Sequence, residues 1–278
     1  IFGNVLQTSK DAIYLARHVG LRVGAPVEVP AMTLNRLCGS GFQAVVSGAM
    51  EILLGEAQVV LCGGTESMSQ APHVVRGARW GAQRFGPAGA FYEDSLWEAL
   101  TDTFAGCSMA MTAENLATRY GITREEVDAF AARSQRLAHE AWEAGHFANE
   151  IVPVTVSTRL GEVLFERDEH LRPGTTEAGL ARLRAYFKEG GTVTAGNASG
   201  IGDGAAALMI SSARWAEQNG IRPLGRLASW GLAGVEPDIM GIGPVPASRA
   251  ALERVGMQLE DMDLIEVNEA FASQYCAV

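Results

Sequence analysis

Cys38 is the residue of this sequence that is best placed to act as a nucleophile. It stands in the segment Cys38-Gly39-Ser40-Gly41, between a β-prone apolar segment and a segment with helical periodicity. The N–H groups and the dipole at a helix start stabilise a thiolate, which is the reactive form of cysteine. The flanking glycines leave room for an incoming acyl group, and nearby amides could hold an oxyanion. A buried structural cysteine is the alternative, and the turn alone leaves the two interpretations about even.

A second candidate segment, residues 196–200, is built from small residues and one hydroxyl: Gly-Asn-Ala-Ser-Gly. Such a segment suits the close passage of an extended ligand. It is not a phosphate-binding P-loop, because no Gly-Lys-Ser or Gly-Lys-Thr follows it. Without further evidence, a turn-rich loop is the simpler interpretation.

Cysteines and histidines show no metal-ligand spacing. The four cysteines form no C-x-x-C pair, and a chain of this length needs no disulfides, so a reducing compartment is the simpler expectation. The five histidines are scattered: His18, His73, His139, His146 and His170. We therefore predict no metal site, and we interpret each histidine as a surface or helix-face residue.

Composition limits the remaining kinds of function. The 278 residues are 47% hydrophobic and 19% charged, which predicts a folded protein with a substantial core. A net charge of −10 without a basic run argues against a nucleic-acid partner. No uninterrupted apolar run reaches the roughly 18 residues that a membrane helix needs, so we predict no membrane span.

Strand and helix patterns alternate near both ends of the sequence, which is typical of an α/β fold. At the front, strands are predicted at residues 27–34 and 58–62, the latter closed by Gly63-Gly64, with a helix at 42–54 that Gly55 ends. Later in the chain, strands are predicted at 204–211, 224–230 and 263–267, and helices at 213–219 and 246–255, before Gly256. The apolar runs 58–62 and 204–211 are predicted to be buried strands.

The middle of the sequence, residues 68–194, is more polar and irregular, and we interpret it as an insertion. Its one strong helix begins with a capping box at Thr123 and Glu126, continues with apolar residues at helical spacing, and stops at Gly145. The stretches before and after the insertion have a similar order of elements. A duplicated α/β fold is therefore plausible.

Six sequence blocks, in order along nearly the whole chain, resemble those of the thiolase family. They are N-R-L-C-G-S-G-F from residue 35, G-E-A-Q-V-V-L-C-G-G-T-E-S-M-S from 55, M-T-A-E-N from 111, G-T-V-T-A-G-N-A-S-G-I-G-D-G-A-A from 191, G-P-V-P-A-S from 243 and V-N-E-A-F-A from 267. Each block alone is a weak signal, whereas six in order are a strong one. The sequence is most similar to degradative 3-ketoacyl-CoA thiolases of fatty-acid β-oxidation.

The resemblance implies a duplicated βαβαβαββ fold with an inserted loop domain. Residues 1–70 plus 203–222 correspond to the N-terminal half with the nucleophile, 71–202 to the loop domain that binds coenzyme A, and 223–278 to the start of the C-terminal half. A homodimer or homotetramer is implied, as are acyl-CoA and CoA as substrates without a covalently bound cofactor. A bacterial cytoplasm is favoured by the Ala-, Gly- and Arg-rich composition, and a mitochondrial matrix fits as well.

The resemblance also assigns the site residues. Cys38 accepts the acyl group, and Asn268 fixes a water that helps to bind the thioester oxygen of the second acyl-CoA. Ser199 bonds the pantetheine, Arg172 meets the adenine or phosphate end, and Phe271 forms a wall beside the pantetheine. The other binding residues are small or apolar side chains that line the tunnel: Ala195, Ala198, Leu100, Met109, Phe187 and Met240. Gly179 stands where some relatives have a serine that contacts CoA, and it lacks that hydroxyl.

The expected reaction is thiolytic cleavage of 3-ketoacyl-CoA, or the reverse Claisen condensation, through an acyl-enzyme at Cys38. Ser108 stands where short-chain biosynthetic thiolases have a histidine, which favours a degradative enzyme for longer acyl chains. The alternatives are a biosynthetic acetoacetyl-CoA thiolase, a ketoacyl or hydroxymethylglutaryl-CoA synthase, and a truncated non-catalytic CoA-binding protein.

The family's catalytic histidine, in a G-H-P block, and its second cysteine, in a C-x-G-G-G block, are expected after V-N-E-A-F-A. Residues 1–278 contain neither block. We therefore expect the sequence to be an excerpt of a longer enzyme, incomplete at both ends. We also expect these residues alone not to turn over substrate, because the base that activates Cys38 would be missing.

Overall fold

A computed structural model describes residues 1–81 and 91–278. The strands are β1 (Phe2–Gly3), β2 (Thr33–Leu34), β3 (Val59–Ser67), β4 (His73–Val74), β5 (Glu93–Asp94), β6 (Thr101–Asp102), β7 (Cys107–Ser108), β8 (Val154–Thr158), β9 (Gly161–Phe165) and β10 (Asp203–Ser211). The helices are α1 (Leu15–Arg22), α2 (Ser40–Leu54), α3 (Ser95–Ala99), α4 (Met109–Tyr120), α5 (Arg124–Glu143), α6 (Glu177–Leu180), α7 (Ala213–Gln218), α8 (Pro244–Glu253) and α9 (Ala272–Ala277). Short 3₁₀ helices lie at Ala12–Tyr14, Met68–Gln70, Pro237–Ile242 and Leu259–Asp261. This mixture of helices and strands confirms the predicted α/β class.

Two compact units make up the chain. The first comprises Ile1–Gly106, Ile201–Trp230 and Arg254–Gly256, and the second comprises Cys107–Gly200, Gly231–Glu253 and Met257–Val278. Residues 71–81 and 91–106 thus group with the nucleophile segment, although the family blocks place them in the loop domain. The three-part division by family blocks stays a prediction.

The first unit is built on a four-stranded sheet in the order β10-β3-β1-β2. β1 is parallel to both β2 and β3, whereas β10 is antiparallel to β3. Helix α2 packs closely on this sheet, since a Cβ built on Gly48 would lie 2.8 Å from the sulfur of Cys62 in β3. The short connection from β2 to α2 contains Cys38, so the sheet and the helix together fix the position of this residue.

Helices with strong local signals are confirmed. The periodic segment 42–54 lies within α2, and Gly55 ends the helix with a left-handed φ of 78°. In α5, the Thr123 side chain accepts a hydrogen bond from the Glu126 amide, and the Glu126 carboxylate accepts one from the Thr123 amide. α7 and α8 confirm the helices predicted at 213–219 and 246–255, although α8 ends at Glu253, ahead of Gly256.

Several strand predictions are wrong. β3 does not stop at Gly63-Gly64 but continues to Ser67, because its antiparallel ladder with β10 runs on to Asp203. Of the predicted strand 27–34, only Thr33–Leu34 forms a strand. Residues 224–230 and 263–267 form no strand, because nothing in the described part of the chain pairs with them in a ladder. Apolar β-prone residues make a strand only where a partner is present.

The predicted burial of the two long strands is also wrong. β10 is exposed over most of its length, because it lies at the edge of the sheet with β3 as its neighbour. β3 is half-buried, apart from Cys62 and Gly63, which are buried. These apolar runs therefore reflect strand formation more than complete burial.

Within residues 1–81 and 91–278, one segment, Leu37–Leu54, is long and apolar enough by composition to cross a membrane, although only 22% of it is buried. It coincides with α2, which carries the polar residues Gln43 and Glu51 and packs on β3. Core helices pass the same compositional test, so the segment is weak evidence for a span. The prediction of no membrane span therefore has only weak support.

Candidate functional site

The Cys38 side chain is exposed in the loop between β2 and α2. Gly39 is the N-cap of α2. Because glycine has no side chain, it accepts no capping hydrogen bond from the amides of the first turn. Uncapped N–H groups at a helix start favour a nearby anion. The Gly39 and Ser40 amides already donate to the Arg36 and Leu37 carbonyls, which leaves the Gly41 and Phe42 amides as the donors of this turn that could hold an oxyanion. The exposure of Cys38 argues against the alternative of a buried structural cysteine.

The backbone ahead of Cys38 is strained. Leu37 has a φ of 47°, and it is the one residue other than glycine with a positive φ within residues 1–81 and 91–278. This conformation costs about 1–2 kcal/mol for a residue with a Cβ, so its neighbours must hold it. The Leu37 amide donates to the Asn35 side-chain oxygen at 2.8 Å, and the Ser40 hydroxyl donates to the Leu37 carbonyl at 2.6 Å. Strain of this kind clusters at active sites.

The other cysteines are less suited to nucleophilic attack. Cys62 is fully buried, with its thiol 3.4 Å from the Ala44 carbonyl oxygen. Burial raises the pKa of the Cys62 thiol, and it also raises that of Cys276, with a smaller contribution from Glu126. Both groups therefore hold their protons more tightly than a free cysteine. Cys107 is half-buried at the start of the short strand β7.

We expect iodoacetamide to modify Cys38 well before Cys62 in the folded protein. The reagent needs an accessible thiolate, and the raised pKa of buried Cys62 keeps that thiol protonated until the pH approaches the raised value. Peptide mass spectrometry over a time course at mildly alkaline pH would measure the order. In urea, both cysteines should react at similar rates. Faster labelling of Cys62 than of Cys38 without urea would contradict the assignment.

A second cluster lies in the second unit, around residues 192–199, which we call the small-residue loop. Ala198 pairs with Phe271 in an antiparallel bridge, and the Ser199 amide donates to the Ala270 carbonyl at 2.9 Å. The predicted binding residues Phe187, Ala198 and Phe271 pack together against a core of Ala110, Ala113 and Val193. The structure therefore brings Phe187, Ala198, Ser199 and Phe271 together.

Buried polar side chains that sequence reasoning missed hold the small-residue loop. The Glu114 carboxylate accepts hydrogen bonds from the amides of Thr192 and Val193 and from the Thr192 hydroxyl. Asn197 is buried as well and donates to the Asp128 carboxylate at 2.8 Å. The sequence did contain a signal for the burial of Glu114, because this residue lies on the same face of α4 as buried alanines three and four residues away.

Two further predicted site residues, Asn268 and Arg172, are exposed. Asn268 is exposed in a loop, not at the end of a strand as predicted, while the neighbouring Glu269 accepts a hydrogen bond from the Ser134 hydroxyl at 2.5 Å. Arg172 is exposed, and its amide donates to the Gln135 side-chain oxygen at 2.7 Å. Their roles stay predictions.

The residues predicted to line the tunnel divide between the units. Leu100 ends α3 in the first unit and is half-buried. Met109 begins α4 and is half-buried, whereas Ala195 and Met240 are exposed, all three in the second unit. Gly179 lies in the short helix α6, and its amide donates to the Thr176 hydroxyl at 3.1 Å. These positions leave the tunnel assignments as predictions.

Comparison with known proteins gives consistent matches over the whole chain. The family profiles "Thiolase, N-terminal domain" and "Thiolase, C-terminal domain" match residues 1–214 and 221–278. The mitochondrial 3-ketoacyl-CoA thiolase of Homo sapiens is 55% identical over 278 residues, which are 100% of this chain and 70% of that protein. An acetyl-CoA acetyltransferase of Syntrophomonas wolfei is 49% identical, with the same coverage of 100% and 70%.

The structural comparison agrees. The crystal structure of human mitochondrial 3-ketoacyl-CoA thiolase in complex with CoA superposes with a TM-score of 0.94 at 54% identity. The superposition covers 99% of this chain and 68% of that one. The chain thus spans about 70% of the length of the relatives that it matches.

Proposed function

The chain belongs to the thiolase family, and we propose that, with the family's G-H-P and C-x-G-G-G blocks in place, it cleaves 3-ketoacyl-CoA with coenzyme A to give acetyl-CoA and a shortened acyl-CoA. The observation that carries this proposal is the exposed Cys38 thiol, which follows a strained residue at the uncapped start of α2. A relative with 55% identity bears the name 3-ketoacyl-CoA thiolase. The activity is that of an acyltransferase.

The reaction divides into two halves at the Cys38 sulfur. In the first half, the thiolate attacks the C3 carbonyl carbon and the C2–C3 bond breaks. The electron pair of that bond stays on C2 as the acetyl-CoA enolate, which takes up a proton to give acetyl-CoA. In the second half, the thiol of CoA attacks the Cys38 thioester and loses its proton, and Cys38 leaves as a thiolate. The first-turn amides of α2 are suited to stabilise the oxyanions that develop.

We assign the binding roles as the family resemblance implies them. Asn268 fixes a water for the thioester oxygen, Ser199 bonds the pantetheine, and Arg172 meets the adenine or phosphate end. The packing of Phe271 against Ala198 supports this assignment, because it places a flat wall beside small side chains. CoA and acyl-CoA act as substrates. A CoA complex of a 54% identical relative supports CoA binding.

A biosynthetic acetyl-CoA acetyltransferase is the runner-up, because a 49% identical relative bears that name. Ser108 favours the degradative reaction. Its hydroxyl accepts a hydrogen bond from the Met111 amide at 3.3 Å, so it caps α4, and its side chain is smaller than an imidazole. The third alternative, a non-catalytic CoA-binding protein, is not favoured by the exposed Cys38.

Thiolysis assays with 3-ketoacyl-CoA substrates of increasing length test this proposal, and they use a version of the protein that includes the G-H-P and C-x-G-G-G blocks. We expect faster cleavage of substrates longer than four carbons than of acetoacetyl-CoA, and we expect Ser108→His to shift the preference towards acetoacetyl-CoA by about tenfold, because an added ring restricts the space. Ser108→Ala is the matched control, since it also loses the helix cap but adds no ring. A strict preference of the unsubstituted protein for acetoacetyl-CoA would refute the degradative assignment.

Location and assembly follow from the same reasoning. We propose a bacterial cytoplasm, with a mitochondrial matrix as the alternative, because relatives occur both in bacteria and in mitochondria. We also propose a homodimer or homotetramer without a nucleic-acid or membrane partner. Light scattering coupled to size-exclusion chromatography would distinguish the two oligomers.

A further inference from the structure

The small-residue loop is held by a buried carboxylate for which the structure shows no cation. Glu114 is 1% exposed. Its two oxygens accept from the Thr192 amide at 2.9 Å each, from the Thr192 hydroxyl at 3.1 Å and from the Val193 amide at 2.7 Å. Within residues 1–81 and 91–278, no arginine, lysine or histidine forms an ion pair with it.

A second buried carboxylate anchors the other end of the loop. Asp128 is 3% exposed and pairs with the Arg124 guanidinium at 2.8 Å. It also accepts from the Asn197 side-chain amide, which donates to the Thr192 carbonyl at 2.9 Å as well. The Asn197 oxygen in turn accepts from the Thr194 amide at 2.7 Å. Helices α4 and α5 thus each fix one part of the loop.

A buried carboxylate without a cation contributes little net stability, because the cost of its desolvation offsets most of the gain from its hydrogen bonds. A carboxylate of this kind does specify one conformation of the loop, because its charge is satisfied only when all three donors point towards it. The close fit supports this interpretation. A Cβ built on Gly191 would clash with the Glu114 carboxylate, so the backbone there must pass directly over it.

The loop in turn holds the segment that carries Asn268 and Phe271. The Ser199 amide donates to the Ala270 carbonyl, and the Ala272 amide donates to the Asn197 carbonyl, each at 2.9 Å. A change in the loop backbone would therefore displace residues on both sides of the proposed pantetheine site. We infer that Glu114 is a positioning residue for CoA binding, acting through the backbone of the small-residue loop. This inference rests on the proposed function.

Glu114→Gln tests this role. The amide keeps the size of the side chain but turns an NH₂ group towards N–H donors, so the loop loses its fixed conformation. We expect the Kd for CoA, measured by calorimetry, and the KM for 3-ketoacyl-CoA to rise at least about tenfold. The rate at which iodoacetamide modifies Cys38 should stay within about twofold, because this small reagent needs no CoA site.

Two further variants provide a weaker perturbation of the same contact and a control. Thr192→Val removes one side-chain hydrogen bond and keeps both backbone bonds to Glu114, so we expect a smaller rise in Kd. Glu140→Gln is the matched control, since that exposed carboxylate of α5 pairs with Arg136 on the surface and should leave Kd unchanged. All assays run below the melting temperature of each variant, checked by circular dichroism.

The outcomes separate the two proposals. An unchanged Kd in folded Glu114→Gln would overturn the positioning role, and so would a rise in Kd that is accompanied by rapid alkylation of buried Cys62, which indicates general destabilisation. If the unsubstituted protein includes the G-H-P and C-x-G-G-G blocks and binds CoA but shows no thiolysis, the proposed function is instead overturned. If the unsubstituted protein does not bind CoA, both proposals fail.

Discussion

In a version of the protein that includes the G-H-P and C-x-G-G-G blocks, replacing Cys38 with alanine is expected to lower kcat for thiolysis by at least about 10⁴-fold, because no acyl-enzyme can form without the sulfur. The fold should be retained. The side chain is exposed, and its loop is held by the hydrogen bond that the Leu37 amide donates to the Asn35 side chain and by the one that the Ser40 hydroxyl donates to the Leu37 carbonyl. Steady-state assays with 3-ketoacyl-CoA and CoA give kcat, and circular dichroism gives the melting temperature.

Two further variants sharpen that measurement. Cys38→Ser keeps the shape of the side chain but offers a far weaker nucleophile, so we expect a loss nearly as large. Cys276→Ala removes another exposed cysteine and should leave kcat within about twofold. A Cys38→Ala variant that keeps a tenth or more of the original activity would show that the acyl group is carried elsewhere.

The largest effect on stability is expected from Gly63→Ala, at about 3 kcal/mol or a complete loss of folding. Gly63 lies in β3, between β1 and β10. A Cβ there would clash with the Ala206 carbonyl oxygen and would lie 2.6 Å from the Phe2 ring. The carbonyl belongs to the backbone of the neighbouring strand and can move only by disturbing the ladder. Urea unfolding followed by circular dichroism would measure the loss in free energy of unfolding.

Gly204→Ala is the matched control on the same sheet. A Cβ on Gly204 in β10 meets no atom within 4 Å, and its φ lies outside the left-handed region. Alanine there should be neutral or slightly stabilising, by up to about 1 kcal/mol, because glycine costs more backbone entropy in a strand. Equal stability of the two variants would contradict the close packing around Gly63.

Elements specified by nearby residues could be predicted from the sequence. The capping box at Thr123 and Glu126 and the left-handed stop at Gly55 are local signals, so α5 and α2 are confirmed. Strands depend on partners far along the chain. Residues 224–230 and 263–267 look like strands by composition but have no ladder in the described structure, and β3 passes its glycines because β10 continues beside it.

The residues of the candidate site also divide into those with a local sequence signal and those that depend on partners far along the chain. The turn at Cys38 and the family block around Phe271 were recognisable as continuous segments of sequence. Glu114 carried a weaker signal: its spacing from Ala110 and Ala117 puts it on the buried face of α4, but a single carboxylate in a helix usually lies on the solvated face. Its partners, Thr192 and Val193, are 78 and 79 residues further along the chain, so only the tertiary structure reveals that the carboxylate fixes a loop.

Trapping the acyl-enzyme tests the central claim most directly. The protein is mixed with a 3-ketoacyl-CoA in the absence of free CoA, quenched in acid, digested and mapped by mass spectrometry. We predict that the mass of the shortened acyl group appears on the peptide containing Cys38, and that addition of CoA before the quench removes it. An acyl group on Cys62, Cys107 or Cys276, or turnover without any acylated cysteine, would contradict the claim that Cys38 is the nucleophile.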